Sequence, residues 1–485
     1  MAQQLSGIDT LHDNYTLSIN AVKLVRDALE GEVVIKSPLN RTVYLPNTIS
    51  DSIGEKERDF IYNLYATRAE YDNIPANTLE SLIGAIARQP NTYEGISDQM
   101  VNDIDGDGLS LDELIKVTCS ELLTVRYCGF LAEHTDLASL GFDNNKVTRE
   151  TAKRLNLRES VKQYTRESII NWDFKRINGV LQLAYVVLKE QERVSLPNSL
   201  DTDLVDSYLL LALDENGDYY QQRYTENTVA GVEGSWSEQV YPTTTTGRFK
   251  FIPFEFCILG DYSKGIIPKD CGYIYRIATK SIYRYQISAD LKQVLWYNGA
   301  PITYSTGWDS SSFEQYKEMT GKDHIDTSPA SHVPLPEGST MGQLDWKAET
   351  SAYFVYMDKN AKEIEALGGV FDTEMNSGEE TATGRAIDAA ERMGVLSNLI
   401  MNVEKSLERV ISYASMFKGQ EVVPNIQINR EFTAIKITAQ ERAAILNEWQ
   451  TGLISDQEAL RQLQRGGVLV ATVEDLTNEM QNTGQ

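Results

Sequence analysis

The sequence predicts an α+β fold, and three observations predict it. Late in the chain the apolar residues fall on a seven-residue grid. One grid position runs Ala386, Met393, Ile400, Leu407, Ala414 and the other Ala389, Leu396, Val403, Val410, Phe417. A stripe that regular over about nine turns calls for a long helix packed along its length against other helices. In the middle of the chain, from Ile169, the apolar period changes to two, and Gly, Thr and Tyr become frequent, as in an antiparallel β region. The first 160 residues carry helical periods closed by capping signals.

In chain order, Leu17 to Leu29 has an apolar helical face, Glu57 to Glu70 reads as a second helix, and Thr78 to Arg88 as a third, stopped by Pro90. Ser110-Leu-Asp-Glu113 is a capping box opening a helix to Val125, and Tyr127 to Glu133 reads as a strand. Asn178-Gly179, between alternating segments, is a strong hairpin signal. Strands are expected at Leu181 to Leu188, Val205 to Leu213, Tyr219 to Thr225 and Arg248 to Ile258. From Gly272 the helical period returns through Ile274, Ala278, Ile282, Tyr285, Ala289 and Trp296, ending near Asn298-Gly299. Gly299 to Lys347 reads as irregular, with short strand fragments such as Ile302 to Tyr304. Ala352 to Leu367 is a helix, followed by the acidic segment Phe371 to Gly384 and the long helix. A strand is expected at Asn425 to Asn429. Capping boxes at Thr438, Ser455 and Thr472 then imply three short closing helices.

Composition narrows the function classes. Forty-five bases against 70 acids give a net charge of −25, a surface that repels nucleic-acid phosphate and suits a wall to which DNA must not stick. The four cysteines (Cys119, Cys128, Cys257, Cys271) form no CxxC pair and read as reduced thiols. With four histidines a zinc site has little to draw on. The first residues lack a signal-peptide core, and no apolar run approaches the roughly 18 residues that span a bilayer. The expectation is a soluble protein made in a cytoplasm, with no membrane partner and no cofactor.

Three motifs could carry chemistry. Asp103-Ile-Asp105-Gly-Asp107-Gly108 through Glu113 matches the start of an EF-hand loop, with acids at positions 1, 3 and 5 and glycine at 6. Its twelfth position is Leu114, where a bidentate Glu belongs. A tight Asp/Gly turn leading into the Ser110 cap explains the same residues without calcium. Arg276, Lys280 and Arg284 form a basic stripe at i, i+4 and i+8. It reads as a solvated face, as pairing with acids of a neighbouring chain, or as a contact with DNA phosphate. The acidic segment holds Asp372, Thr373, Glu374, Asn376, Ser377, Gly378, Glu379 and Glu380, and its carboxylates lack a compact metal-binding spacing. No GxxxxGK[ST], GxSxG or HExxH occurs, and no Ser or Cys partner is singled out for any histidine, so the expectation is not an enzyme.

Taken in order, these parts resemble a portal protein of a tailed bacteriophage. The resemblance is carried by Thr78-Leu-Glu-Ser-Leu-Ile-Gly-Ala-Ile-Ala-Arg88-Gln-Pro90 with the Asp103 to Leu111 block, and by Ser168-Ile-Ile-Asn-Trp172 with Ile177-Asn-Gly179. It is also carried by Ala278 to Asp290 with Gly299-Ala-Pro301, and by Gly452-Leu-Ile-Ser-Asp-Gln-Glu-Ala-Leu460. It implies a wing over 1–271 (helical over 1–160, β-rich over 161–271), a first stem helix over 272–298 and a clip over 299–347. A second stem helix over 348–369, a tunnel loop over 370–383, a long tunnel helix and wing strand over 384–437 and a small crown over 438–485 would follow. On this resemblance Asp372 to Glu380 would line a channel. Met393, Leu396, Ile400, Val403, Leu407 and Val410 would pack helix on helix. The chain would form a ring, usually a dodecamer, at the portal vertex of a virion assembled in the host cytoplasm. Its partners would be terminase, major capsid protein, scaffolding protein, a tail adaptor protein and the double-stranded DNA passing through. The competing readings are a calcium-responsive binding protein built on 103–113, and a hydrolase whose site no local motif reveals.

Overall fold

The alternating segment after Ile169 forms a five-stranded antiparallel sheet. Its strands are β4 (Ile169–Ile177), β5 (Val180–Ser195), β6 (Thr202–Leu213), β7 (Tyr219–Thr225) and β8 (Ser235–Trp236), each paired with the next in chain order. The hairpin glycine, Gly179, has φ 83°, a conformation that costs a residue without Cβ little, and Ile177 pairs with Val180 across the turn. The computed structural model of the chain describes residues 7–46, 54–134, 150, 158–177, 179–195, 202–226, 234–244, 247–260, 266–299, 302–321, 323, 335, 337–344, 350–370, 382–419, 422–430, 439–451, 454–455 and 459. These residues belong to two compact units, one of Met1–Arg26, Asn77–Arg276 and Asp372–Gln485, the other of Asp27–Ala76 and Ile277–Phe371.

In the larger unit, period two sends Trp172, Val186, Leu188, Leu209, Leu211 and Tyr219 to one face of the sheet, into a core shared with Tyr127, Phe254 and Phe256. Val187, Tyr208, Leu210 and Tyr220 make a second cluster. A three-stranded sheet has β2 (Tyr127–His134) between β3 (Glu159–Tyr164) and β11 (Phe254–Ile258). Gly129 is required there, because the Phe254 ring would lie 2.1 Å from a Cβ at that position. Arg248 to Ile258 is therefore not one strand. Arg248 ends the short strand β10 (Gly247–Arg248), which pairs with β9 (Thr243–Thr244), and β11 begins only at Phe254.

The long helix, α11 (Ala382–Met416), is present, but what it packs on differs from the expectation. Leu396 is 3 % exposed and Ile400, Val403, Leu407 and Val410 are fully buried. They lie on a helix that contacts β2, β3 and β11, with α7 (Leu111–Val125) and β14 (Asn425–Gln427) beside it. The seven-residue stripe is thus covered mainly by a sheet of the same chain. A helix presents the same apolar face whether a helix or a sheet covers it, so period alone does not choose. Of Met393 the structure describes only the backbone. Strand β14 pairs with β1 (Thr92–Glu94), and its outer edge is closed by α11. Glu408 accepts from the Ile426 amide at 3.1 Å, and Glu404 from the Ile428 amide at 2.9 Å.

The smaller unit is built on helices. It holds α2 (Glu32–Ile35), α3 (Arg41–Tyr44), α4 (Glu55–Arg68), most of α8 (Tyr273–Gly299) and α10 (Ser351–Ala366). Tyr65 donates to Asp290 at 2.5 Å and the Glu70 amide to the Ser288 hydroxyl at 3.1 Å, so the segment around α4 is seated on α8. The stretch Gly299 to Lys347, expected to be irregular, contains a ribbon of β12 (Ile302–Thr306) and β13 (Thr340–Leu344) with helix α9 (Ser310–Thr320) between them. The Ser/Asp-rich run that reads as loop is in fact an N-cap. Asp309 accepts from the Ser312 amide at 2.8 Å, and Gly321 (φ 66°) ends the helix. Those hydrogen bonds from Ser312 and Ser311 lower the Asp309 pKa to about 2. Trp308, Phe313 and Tyr316 cluster along it.

The closing segment contributes α12 (Ala439–Gln450). Thr438 of the first capping box, the box at Thr472 and the acidic segment Asp372 to Glu380 lie outside the described residues; of the box at Ser455 only Ser455 is described, its carbonyl accepting from the Ala459 amide at 2.9 Å. Among the described residues no helix is long and apolar enough to cross a membrane.

Candidate assembly surface

The EF-like loop is folded as a turn and a cap. Asp103 Oδ1 accepts from the amides of Gly106 at 2.9 Å and Gly108 at 3.0 Å, and Asp105 Oδ1 from Asp107 at 2.8 Å and Leu109 at 3.1 Å. Ser110 and Glu113 complete the capping box of α7, each side chain bonded to the other's amide. The remaining charge on Asp103 is met by Arg158, whose Nη2 lies 2.5 Å from Oδ2 and which also donates to the Asp103 carbonyl. Desolvation opposes ionisation of Asp103, but Arg158 and the two glycine amides outweigh it and hold the carboxyl below its usual range. The guanidinium takes the place beside Asp103 that a cation would need. Among the described residues no group of three or more His, Cys, Asp or Glu side chains is arranged to hold a metal ion.

The basic stripe is resolved within the smaller unit. Lys280 Nζ lies 2.5 Å from Glu363 on α10, and the Lys280 carbonyl accepts from Asn360 at 3.2 Å. Arg284 is buried, its Nε 2.6 Å from Asp72, its Nη1 donating to the Met357 carbonyl. Lys280 and Arg284 therefore join α8 to α10 and to the segment after α4 within one chain. The hydrogen bond to Glu363 raises the Lys280 pKa, and the same bond lowers that of Glu363. Arg276, the third of the stripe, is exposed. A spacing of four places side chains on one helix face but does not say whether the face meets water or its own chain.

Sequence reasoning missed a buried junction. Arg166 is 1 % exposed and, among the described residues, has no carboxylate within ion-pair distance. It donates to the carbonyls of Val125 at 2.6 Å, Asp270 at 2.8 Å and Lys269 at 3.0 Å, and stacks on Tyr127 at 4.6 Å. The Val125 carbonyl belongs to the C-terminus of α7, whose dipole favours a cation. Arg126, the one non-glycine residue of positive φ among the described residues, ion-pairs with Asp270. Gly272 follows, with its amide on the Thr124 carbonyl at 3.1 Å; a Cβ there would come within 2.2 Å of the Leu123 carbonyl. Two arginines and one glycine thus fix the chain just before α8 begins. The Gly272 break in pattern was legible, but the partner carbonyls were not.

The smaller unit also leaves large apolar side chains outside. On α10, Phe354 is 50 %, Val355 68 % and Tyr356 53 % exposed; on the helices nearer the N-terminus, Val33, Val43 and Phe60 are exposed, and Leu39 is 87 % exposed. Contiguous apolar surface of a few hundred Å² on a folded unit marks a binding face.

Comparison with known proteins adds three findings. No curated protein matches the chain. Over 92 % of its length the chain is similar to 93 % of a solved chain from the virion of a native gene transfer agent particle, at 12 % identity and a TM-score of 0.41, which falls short of a shared fold. Residues 274–418, from the start of α8 to just past α11, match the model of a family described as a domain of unknown function, DUF4055.

Proposed function

We propose that the chain is a structural subunit of a tailed-phage-like virion and, within it, the portal: a ring at one capsid vertex through which the genome is packaged and ejected. Terminase and tail adaptor would dock on that ring. The observation that carries the reading is the order helix, ribbon with a short helix, helix in the smaller unit. Helices α8 and α10 are joined by the Lys280–Glu363 pair, and the chain between them forms β12, α9 and β13. That order fits two stem helices flanking a clip, the arrangement the sequence resemblance implies. The net charge of −25 suits a conduit wall, because a basic lining would hold phosphate. In this reading the protein is not an enzyme, and the acids of Asp372 to Glu380 would face the DNA.

Negative-stain electron microscopy of the purified protein tests it, together with light scattering at micromolar concentration. The expected result is a ring with a central channel and a mass many times 54.5 kDa. A protein that stays monomeric, even with scaffolding and capsid proteins present, overturns the reading.

A further inference from the structure

We infer that Cys128 and Cys257 form a site of oxidative modification, which a hydroperoxide converts to a disulfide joining β2 to β11. The inference stands apart from the portal reading.

The register of the two strands sets Cys128 directly opposite Cys257. At the ends of the same ladder the Leu259 amide donates to the Arg126 carbonyl and the Ala132 amide to the Pro253 carbonyl, each at 2.9 Å. Hydrogen-bonded pairs alternate along an antiparallel ladder, so Arg126, Cys128, Phe130 and Ala132 all stand at hydrogen-bonded positions. Facing Cα atoms there lie about 5.5 Å apart, a separation at which disulfides are common. The side chains converge as well. The Cys128 thiol is hydrogen-bonded to Cys257, and Cys257 donates to the Asn402 carbonyl of α11 at 3.9 Å.

Period two decides which face the pair occupies. Tyr127, Phe254, Phe256 and Ile258 enter the core shared with the five-stranded sheet, so both cysteines turn to the other face, the one covered by α11. Both are fully buried. A single buried cysteine is packing, because a thiol behaves as a small hydrophobe. Two thiols in contact, on residues that a ladder holds opposite each other, are also poised to bond. Burial and the bond to Cys257 push the Cys128 thiol well above its ordinary range, so the closed fold keeps it unreactive. Reaction needs local opening, and β11 is an edge strand of its sheet, where opening reaches both sulfurs together. Cys119 on α7 also interacts with Cys257, but helix packing holds it there and no ladder does.

The chemistry balances in two steps. One sulfur attacks a peroxide oxygen; an S–O bond forms, the O–O bond breaks, and the leaving oxygen takes the thiol proton and departs as water. The other sulfur then attacks the sulfenic sulfur; the S–S bond forms, the S–O bond breaks, and a second water leaves. Two thiols are oxidised and one hydrogen peroxide is reduced. The link closes the chain between 128 and 257, which holds the whole five-stranded sheet. Closing a long loop removes much freedom from the unfolded chain, so the link should stabilise the larger unit.

The test treats the reduced full-length protein with hydrogen peroxide just below its melting temperature. Remaining thiols are blocked with N-ethylmaleimide, and the protein is digested without reductant for mass spectrometry. The expected digest holds Cys128 and Cys257 in one cross-linked peptide pair, with Cys271 alkylated. The melting temperature should rise by about 5 °C or more and fall back on reduction with dithiothreitol. Cys119→Ala should keep both the link and the rise, whereas Cys128→Ala should lose both. A wild-type digest with all four cysteines alkylated, with Cys119 in the link, or with Cys128 and Cys257 taken to sulfinic acid unlinked overturns the proposal without any variant having to fold.

Discussion

The two units differ in which helical apolar faces they cover. The larger unit buries its most regular stripe from Leu396 to Ala414, with Ile400, Val403, Leu407 and Val410 lying mainly against strands of the same chain. The smaller unit buries Tyr62, Ile282, Tyr285 and Ile364, adds polar bridges such as Lys280–Glu363 and Arg284–Asp72, and leaves Phe354, Val355 and Tyr356 outside. Regularity of a pattern is therefore a poor guide to which apolar face stays exposed. The strongest stripe serves the fold, and the weaker, shorter one on α10 stays exposed in the single chain.

The largest expected effect comes from breaking the covered stripe. Ile400→Asn with Leu407→Asn removes two fully buried aliphatic side chains and buries two amides. The cost is about 5 kcal/mol or more, comparable to the whole stability of many domains. The variant should be insoluble or unfolded by circular dichroism. Folded subunits that only fail to assemble would move this stripe to the interface side of the comparison.

Arg166→Ala should come next. It leaves the carbonyls of Val125, Lys269 and Asp270 without their donor and empties a buried volume, for a loss of about 3–5 kcal/mol in denaturant unfolding. Arg166→Lys keeps the charge but cannot reach all three carbonyls, so it should recover only part of the loss. A loss within about 0.5 kcal/mol of a typical surface substitution would show that the junction before α8 is held by packing alone.

The smallest effect concerns the 103–113 loop. The folded pKa of Asp103 is depressed, so its contribution is present above the unfolded value of 3.8 and fades as pH falls through the lower folded value. Asp103→Asn should lower stability at neutral pH and flatten the acid limb of the pH–stability curve below 3.8, with no dependence on calcium. A calcium-dependent melting temperature in the wild type, abolished by Asp103→Asn, would reopen the calcium reading.

Much of the fold was legible. The Ser110–Glu113 box, the Asn178-Gly179 turn and the period-two strands each rest on interactions within a few residues, and local chemistry writes them directly. The Asp309 cap and Gly321 stop of α9 were equally local, but Ser and Asp also favour turns, so the segment reads as loop.

What the sequence determined by itself was therefore which segments are helix or strand and which face of each is apolar. The tertiary structure decided what covers those faces. Arg284 meets Asp72, 212 residues away, and Arg166 meets Lys269 and Asp270 more than a hundred residues on. The α11 stripe meets mainly a sheet of its own chain, with α7 beside it. A period records that a face avoids water, because burial acts on each side chain through its own apolar area. The identity of the covering surface depends on chain closure over long separations, and no window of residues contains it.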